Sequence, residues 1–134
     1  MGLLLVLVQG PFYRWVTRHA SEPLLVVVGS LVLALSFRLF DATTGAAIYG
    51  AVVLLAVGNG VMWPSVLSLL SRAAGPVHQG AVQGLAGSLG AAASIAGLLL
   101  GGLLFATLGP GVFWLSAVVA ASVGFVGLTQ LGKT

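Results

Sequence analysis

The fold of this chain is decided by residues 80–107, GAVQGLAGSLGAAASIAGLLLGGLLFAT, in which no side chain carries a charge. The segment is longer than the roughly 20 residues that a helix needs to cross a hydrocarbon layer of about 30 Å. Its glycine residues would weaken a helix in water, but in a bilayer they allow neighbouring helices to approach closely. The segment therefore predicts a membrane-spanning helix.

The rest of the chain has a similar composition. Of its 134 residues, 59% are hydrophobic and 5% are charged, whereas a soluble domain carries about 25% charged residues. Between Glu22 and Lys133 the charged side chains are Arg38, Asp41 and Arg72. In lipid the backbone polar groups must be paired within the protein, and long apolar segments achieve this as helices. We predict an all-α integral membrane protein that interacts with the lipid bilayer.

The positions of the apolar segments predict where the chain crosses the membrane. Residues 1–9 are apolar but too short to span, so they predict the end of a partial helix. We expect a bend near Pro64, a polar loop at residues 71–79 and a tight turn in LGPG, residues 108–111. The predicted spans lie at about 23–40, 45–70, 80–107 and 112–129.

The basic residues predict the orientation of these helices. Arg14, Arg18, Arg72 and Lys133 fall on one side of the predicted membrane, and Arg38 falls on the other. Loops that are rich in arginine and lysine remain in the cytoplasm. The expected orientation places the C-terminus in the cytoplasm.

Several classes of function are excluded by what the sequence lacks. The net charge of +3 comes from scattered residues, so we expect no nucleic-acid partner. The chain has no cysteine and no cluster of metal ligands, and we expect neither a metal nor a cofactor. No nucleophile–base pair is recognisable, and the two acidic residues, Glu22 and Asp41, lie at the edges of the predicted spans. The sequence predicts neither an enzyme nor an intramembrane carboxylate.

The third predicted span carries small residues at every fourth position. This row lies on one helical face and predicts close contact with a neighbouring helix. The alternative is that the row, including Ser88, lines a transport pathway. The residues of the row are Gly80, Gly84, Ser88, Ala92 and Ala96.

Asn59, Met62 and Trp63 form the most polar feature of the second predicted span. An amide within hydrocarbon must form a hydrogen bond or face a wet cavity. Asn59 and Trp63 are four residues apart and therefore share a helical face. The group is a candidate for contact with a substrate, and the alternative is an interhelical hydrogen bond beside an aromatic ring.

Residues 58–105 contain an ordered series of short motifs. Their sequence resembles the tenth and eleventh helices of drug:proton antiporters of the major facilitator superfamily, with most similarity to the tetracycline-efflux and bacterial multidrug branch. The matching positions are Gly58, Gly60, Pro64, Ser71-Arg72, Gln79-Gly80, Gln83-Gly84, Ser88 and Ser94. Gly10 to Arg18 resembles a degenerate copy of that family's cytoplasmic loop, which retains Arg14 and Arg18 but lacks the aspartate and the second glycine. Where the family often has Gly-Pro in the eleventh helix, this chain has Gly97-Leu98.

The resemblance implies that residues 1–134 are part of the C-terminal half of a transporter in the bacterial inner membrane. Residues 1–9 would end the eighth helix, and the four spans would be helices nine to twelve. The implied function is export of small lipophilic drugs in exchange for protons by alternating access, with substrate bound between two six-helix halves. The resemblance also implies that the remainder of the transporter is a partner and that this fragment is inactive alone.

Two other functions fit the sequence. One is a small transporter that acts as an oligomer, although exporters of that kind resemble one another in carrying an acidic residue in the first helix, and no predicted span here has one. The other is a non-transporting membrane subunit that assembles through the small-residue face.

Overall fold

The computed structural model describes residues 10, 13–41 and 44–131, and these ranges contain helices and short connections without a strand. The predicted all-helical architecture is confirmed for them. The predicted partial helix at residues 1–9 lies outside the described residues. The helices are α1 (Tyr13–Thr17), α2 (Glu22–Phe40), α3 (Gly45–Leu108) and α4 (Gly111–Leu131).

Helices α2 and α4 begin and end within two residues of the predicted segments 23–40 and 112–129. Pro23 lies in the first turn of α2, where its missing N–H removes no helical hydrogen bond. Asp41 follows the last residue of α2. The predicted turn before α4 is also present, because Gly109 has a φ of 55° and only Gly109 and Pro110 separate α3 from α4.

The predicted loop at residues 71–79 is wrong for most of its length. Helical backbone continues through this region, and Gly75, with φ 69° and ψ 169°, is the residue within α3 that departs from helical geometry. That combination of angles is essentially restricted to glycine, and Pro76 follows it directly. The polar side chains therefore occupy helical turns on either side of a one-residue break, and the backbone at Pro64 stays helical.

The break at Gly75 reverses the direction of the chain. If α3 were straight, its two ends would be roughly 95 Å apart, and Gly90 would lie about 40 Å from Trp63. Instead the indole ring of Trp63 lies 3.4 Å from where a Cβ atom at Gly90 would be. The two halves of α3, residues 45–74 and 76–108, therefore form a helical hairpin.

Helix α2 lies between α3 and α4 and packs against both, while α3 and α4 contact each other much less. Its contacts with α4 include Ser30, whose hydroxyl oxygen lies 2.6 Å from a Cβ position at Gly124. A Cγ atom of Val27 lies 2.8 Å from a Cβ position at Gly127. Small residues thus permit the tight helix contacts that membrane proteins use in place of water-driven association.

Hydrogen bonds satisfy the buried hydroxyl groups of α2 and α3. Ser36 is fully buried and donates to the backbone carbonyl of Ala51 on α3 at 2.9 Å. Ser30 and Ser65 donate to carbonyl oxygens of their own helices. In lipid an unpaired hydroxyl would carry a desolvation cost, so these bonds allow serine in the interior.

The predicted small-residue row of the third span packs against no neighbouring helix in the part of the chain that the structure describes. Gly80, Gly84, Ser88, Ala92 and Ala96 are all exposed. A Cβ atom at Gly80 or Gly84 would meet no heavy atom within 4 Å among the described residues. The second half of α3 therefore presents an uncovered small-residue face.

Three of the described helices are long and apolar enough to cross a membrane: α2, α3, and the Gly111–Thr129 portion of α4. Together with their composition, this identifies the chain as a multi-pass membrane protein. The short helix α1 lies within Gly10 to Arg18, the stretch that resembles the cytoplasmic loop of the family.

Candidate functional site

The two halves of α3 enclose a groove that contains Asn59 and Trp63. The groove has a volume of about 490 Å³. Asn59 and Trp63 line one wall of the groove. Small residues of the second half of α3 line the other wall, so the wall opposite the indole ring carries no large side chain. The residues of this second wall are Gly87, Gly90, Ala91, Ala93 and Ser94.

The polar groups of the groove are neutral. Asn59 is exposed, and its side-chain amide forms no hydrogen bond within the described part of the chain. The Ser94 hydroxyl donates to the carbonyl of Gly90 at 2.8 Å, which leaves its oxygen able to accept. A molecule in the groove would therefore meet one free amide, one hydroxyl oxygen and an aromatic face.

Met62 and Ser88, the other two predicted pathway residues, do not line this groove. The Cβ of Met62 lies 2.8 Å from a Cβ position at Gly29, so Met62 packs against α2. Ser88 is exposed on the second half of α3 and donates to the carbonyl of Leu85 at 2.9 Å. The structure thus brings Asn59 and Trp63 together and separates Met62 and Ser88 from them.

A polar cluster lies where α1 and α2 meet the end of the first half of α3. Glu22 Oε1 accepts hydrogen bonds from the Ser68 hydroxyl at 2.6 Å and from Arg72 Nη2 at 2.9 Å. Tyr13 is within hydrogen-bonding distance of Ser65, with 3.4 Å between their oxygens. Sequence reasoning placed Glu22 at a span edge and missed this cluster, which depends on contacts between distant parts of the chain.

The residues of the predicted cytoplasmic-loop motif lie in different surroundings. Arg72 joins Glu22, whereas Arg14 and Arg18 are exposed on and after α1. The four residues of the motif that follow Gly75 are also exposed, and they line none of the cavities described above. These residues are Gln79, Gly80, Gln83 and Gly84.

A second polar cluster joins the other end of α2 to α4. The guanidinium carbon of Arg38 lies 3.1 Å from the centre of the Trp114 ring. Trp114 Nε1 donates to Asp41 Oδ2 at 3.3 Å, and Arg38 Nη1 lies 4.0 Å from the same oxygen. Sequence analysis located Arg38 and Asp41 but missed Trp114, because nothing in the local pattern pairs the ends of α2 and α4.

Comparison with known proteins gives one informative similarity. The chain is 30% identical over 106 residues to the tetracycline resistance protein, class D, of Salmonella ordonez. The match covers 78% of this chain and 27% of the relative, so the chain spans little more than a quarter of that protein's length. No protein-family model and no solved structure matches the chain.

Proposed function

We propose that residues 1–134 form part of the C-terminal half of a drug-efflux transporter of the major facilitator superfamily. The observation that carries the proposal is the identity of 30% over 106 residues to a tetracycline resistance protein. The helical hairpin in α3 supports it, because two separate crossings by α3 give four spans with α2 and α4. On this proposal the four spans are helices nine to twelve, and the protein is a transporter component rather than an enzyme.

The groove between the halves of α3 is the contribution of this chain to the substrate path. The exposed indole of Trp63 offers a flat face for a small lipophilic drug. The free amide of Asn59 can both donate to and accept from the drug's polar groups. In alternating access, movement of the two halves of the transporter about such a site would expose it to each side of the membrane in turn.

Exchange of drug for protons would depend on the remainder of the transporter. No described residue that lines the groove carries an ionisable side chain. Intramembrane ionisable groups are the usual carriers of proton coupling. The chain alone is therefore expected to be inactive, and its uncovered small-residue face is expected to contact the remainder.

Transport measurements test this proposal directly. DNA upstream of Met1 should continue in frame and encode at least seven further helices, and expression of that complete protein should lower drug accumulation in bacterial cells. Expression of residues 1–134 alone should leave accumulation at the empty-vector level. Proton-dependent export by residues 1–134 alone would contradict the proposal and favour the oligomeric transporter.

We further propose that the chain lies in the bacterial inner membrane with its C-terminus in the cytoplasm, since four of the five basic residues fall on that side. The absence of cysteine allows single cysteines at Ala42 and Ala74 to report topology without background labelling. They should react with a membrane-impermeant maleimide from opposite sides. Labelling of both from one side would reject this topology.

A further inference from the structure

Two polar side chains of the groove in α3 lie level with each other on its opposite walls. The indole edge of Trp63 meets Gly90, with Cη2 3.4 Å and Cζ2 3.7 Å from the position of a Cβ atom there. Asn59 lies four residues before Trp63, and both belong to the first half of α3. Ser94 lies four residues after Gly90 on the second half. Because the two halves run in opposite directions, both steps lead away from the break, and Asn59 and Ser94 face each other about 6 Å beyond the indole contact.

The hydroxyl of Ser94 is oriented to accept a hydrogen bond from a ligand. Its single hydrogen is already used, because the hydroxyl donates to the backbone carbonyl of Gly90 at 2.8 Å. The oxygen keeps lone pairs that can accept. A carbonyl or ether oxygen beside it would bring two acceptors together, whereas an N–H or O–H group would complete a hydrogen bond. Ser94 therefore distinguishes a donor from an acceptor of the same size.

Asn59 and Trp63 supply the other contacts that a ligand in this groove would make. The exposed amide of Asn59 can donate to a carbonyl on the ligand. The edge of the Trp63 ring rests against the second half of α3, so the indole spans the gap and its face is directed along the groove. Another aromatic ring stacks favourably on such a face. The groove thus combines an aromatic face with a donor on one wall and an acceptor on the other.

We propose that Ser94 is a specificity-determining residue of this groove, and that the groove takes flat aromatic compounds whose edge carries an N–H group beside a carbonyl, as in a lactam. The ring stacks on Trp63, the carbonyl accepts from Asn59, and the N–H group donates to Ser94. This inference rests on the proposed drug-efflux function and adds the requirement for a donor. A lactone of the same shape has an oxygen in place of the N–H group, and it leaves Ser94 without a hydrogen bond.

A pair of isosteric probes tests the donor requirement on the unchanged protein. The probes are phenanthridinone, a flat tricyclic lactam, and the corresponding lactone, in which a ring oxygen replaces the N–H group. Each is titrated into ¹⁵N-labelled residues 1–134 in detergent, and the indole N–H signal of Trp63 is followed by NMR. The signal of Trp15, which lies on α1 outside the groove, reports probe that is merely dissolved in the micelle.

The dissociation constant read from the Trp63 signal should be about tenfold lower for the lactam than for the lactone, which corresponds to one hydrogen bond. Equal dissociation constants for the two probes would overturn the proposal. Shifts at Trp63 that are no larger than those at Trp15 would also overturn it, because the probes would then occupy the micelle and not the groove.

Two substitutions then assign the preference to Ser94. Ser94→Ala removes the accepting oxygen, so it should weaken lactam binding about tenfold and leave lactone binding unchanged. Ser88→Ala is the matched control, since Ser88 is also exposed on the second half of α3 and donates to a carbonyl of its own helix, but does not line the groove. This variant should keep the preference for the lactam. An undiminished preference in Ser94→Ala, or its loss in Ser88→Ala, would overturn the role of Ser94.

Binding by residues 1–134 and export by the complete transporter are separate measurements. Equal binding of the lactam and the lactone would overturn the role of Ser94 even if the complete transporter lowers drug accumulation. Drug accumulation that the complete transporter leaves unchanged would contradict the proposed efflux function, whereas the preference for a lactam is read from binding alone.

Discussion

Gly29 and Gly58 face each other across the contact between α2 and α3. A Cβ atom at Gly58 would lie 2.9 Å from the carbonyl oxygen of Gly29, and one at Gly29 would lie 3.0 Å from the carbonyl oxygen of Gly58. Both obstacles are backbone atoms, which cannot move aside by a change of rotamer. The closest approach of these helices therefore depends on two residues without side chains.

Gly58→Ala should lower the free energy of unfolding, because the added methyl group forces α2 and α3 apart. Overfilling a tight contact typically costs about 1–3 kcal/mol. The measurement is the free energy of unfolding in mixed micelles, followed by circular dichroism during titration with sodium dodecyl sulfate. Gly84→Ala is the matched control, because a Cβ atom at this position would meet no described atom within 4 Å. The free energy of unfolding of this variant should not fall. Equal stability of both variants would show that the Gly29–Gly58 contact does not limit helix approach.

Gly75→Ala should strain the turn between the two halves of α3. A residue with a Cβ atom held near φ 69° and ψ 169° typically costs about 1–3 kcal/mol. The free energy of unfolding should fall, and the contact between Trp63 and Gly90 should weaken. The weaker contact should shift the fluorescence of a variant in which Trp63 is the remaining tryptophan. Gly80→Ala, at an exposed glycine without a positive φ, provides the control. A Gly75→Ala variant as stable as Gly80→Ala would contradict the strained turn.

Trp114→Leu should loosen α4 from α2. The substitution removes the aromatic face beneath Arg38 and the N–H that donates to Asp41. A cation–π contact contributes about 0.5–2 kcal/mol, depending on its exposure to water. We expect the free energy of unfolding to fall by about 1 kcal/mol, measured in the same micelle titration. Trp15→Leu is the control, since that ring is 62% exposed and its aromatic contact is with nearby His19; an equal fall in both variants would reject a specific role for Trp114.

Asn59→Ala and Trp63→Ala test the groove within the complete transporter. If the groove contacts drugs, each change should alter relative resistance to different drugs while protein abundance stays near normal, because both side chains are exposed in this chain. Leu85→Ala, at an exposed position outside the groove, should leave the resistance profile unchanged. A uniform loss of resistance that follows a loss of abundance would instead make Asn59 and Trp63 structural residues.

Much of the architecture could be predicted because long apolar segments have few alternatives in a bilayer. The ends of α2 follow from Pro23 and Asp41, and the turn before α4 follows from Gly109-Pro110. The path of α3 could not be predicted in the same way. Polar residues such as Arg72 and His78 suit a loop or an exposed helical turn equally well, and tertiary structure decides between them.

The candidate site was partly predictable for a related reason. Spacing of four residues places Asn59 and Trp63 on one helical face, and they share a groove. Met62 lies about 100° around the helix from Trp63 and meets α2 instead. Local spacing also could not show which small-residue row would meet a neighbour: Gly58 and Gly124 do, whereas Gly80 and Gly84 remain uncovered.

The central position of α2 has a consequence for biosynthesis. As the chain leaves the ribosome, α2 can meet the first half of α3 soon after both are made. Gly124 and Gly127 contact Ser30 and Val27, which lie 94 and 100 residues earlier in the chain, so these glycines are made much later than α2. One side of α2 must therefore wait in the translocon or in lipid until α4 has been made. A ribosome that stops before α4 would leave that side open to capture by membrane chaperones or proteases.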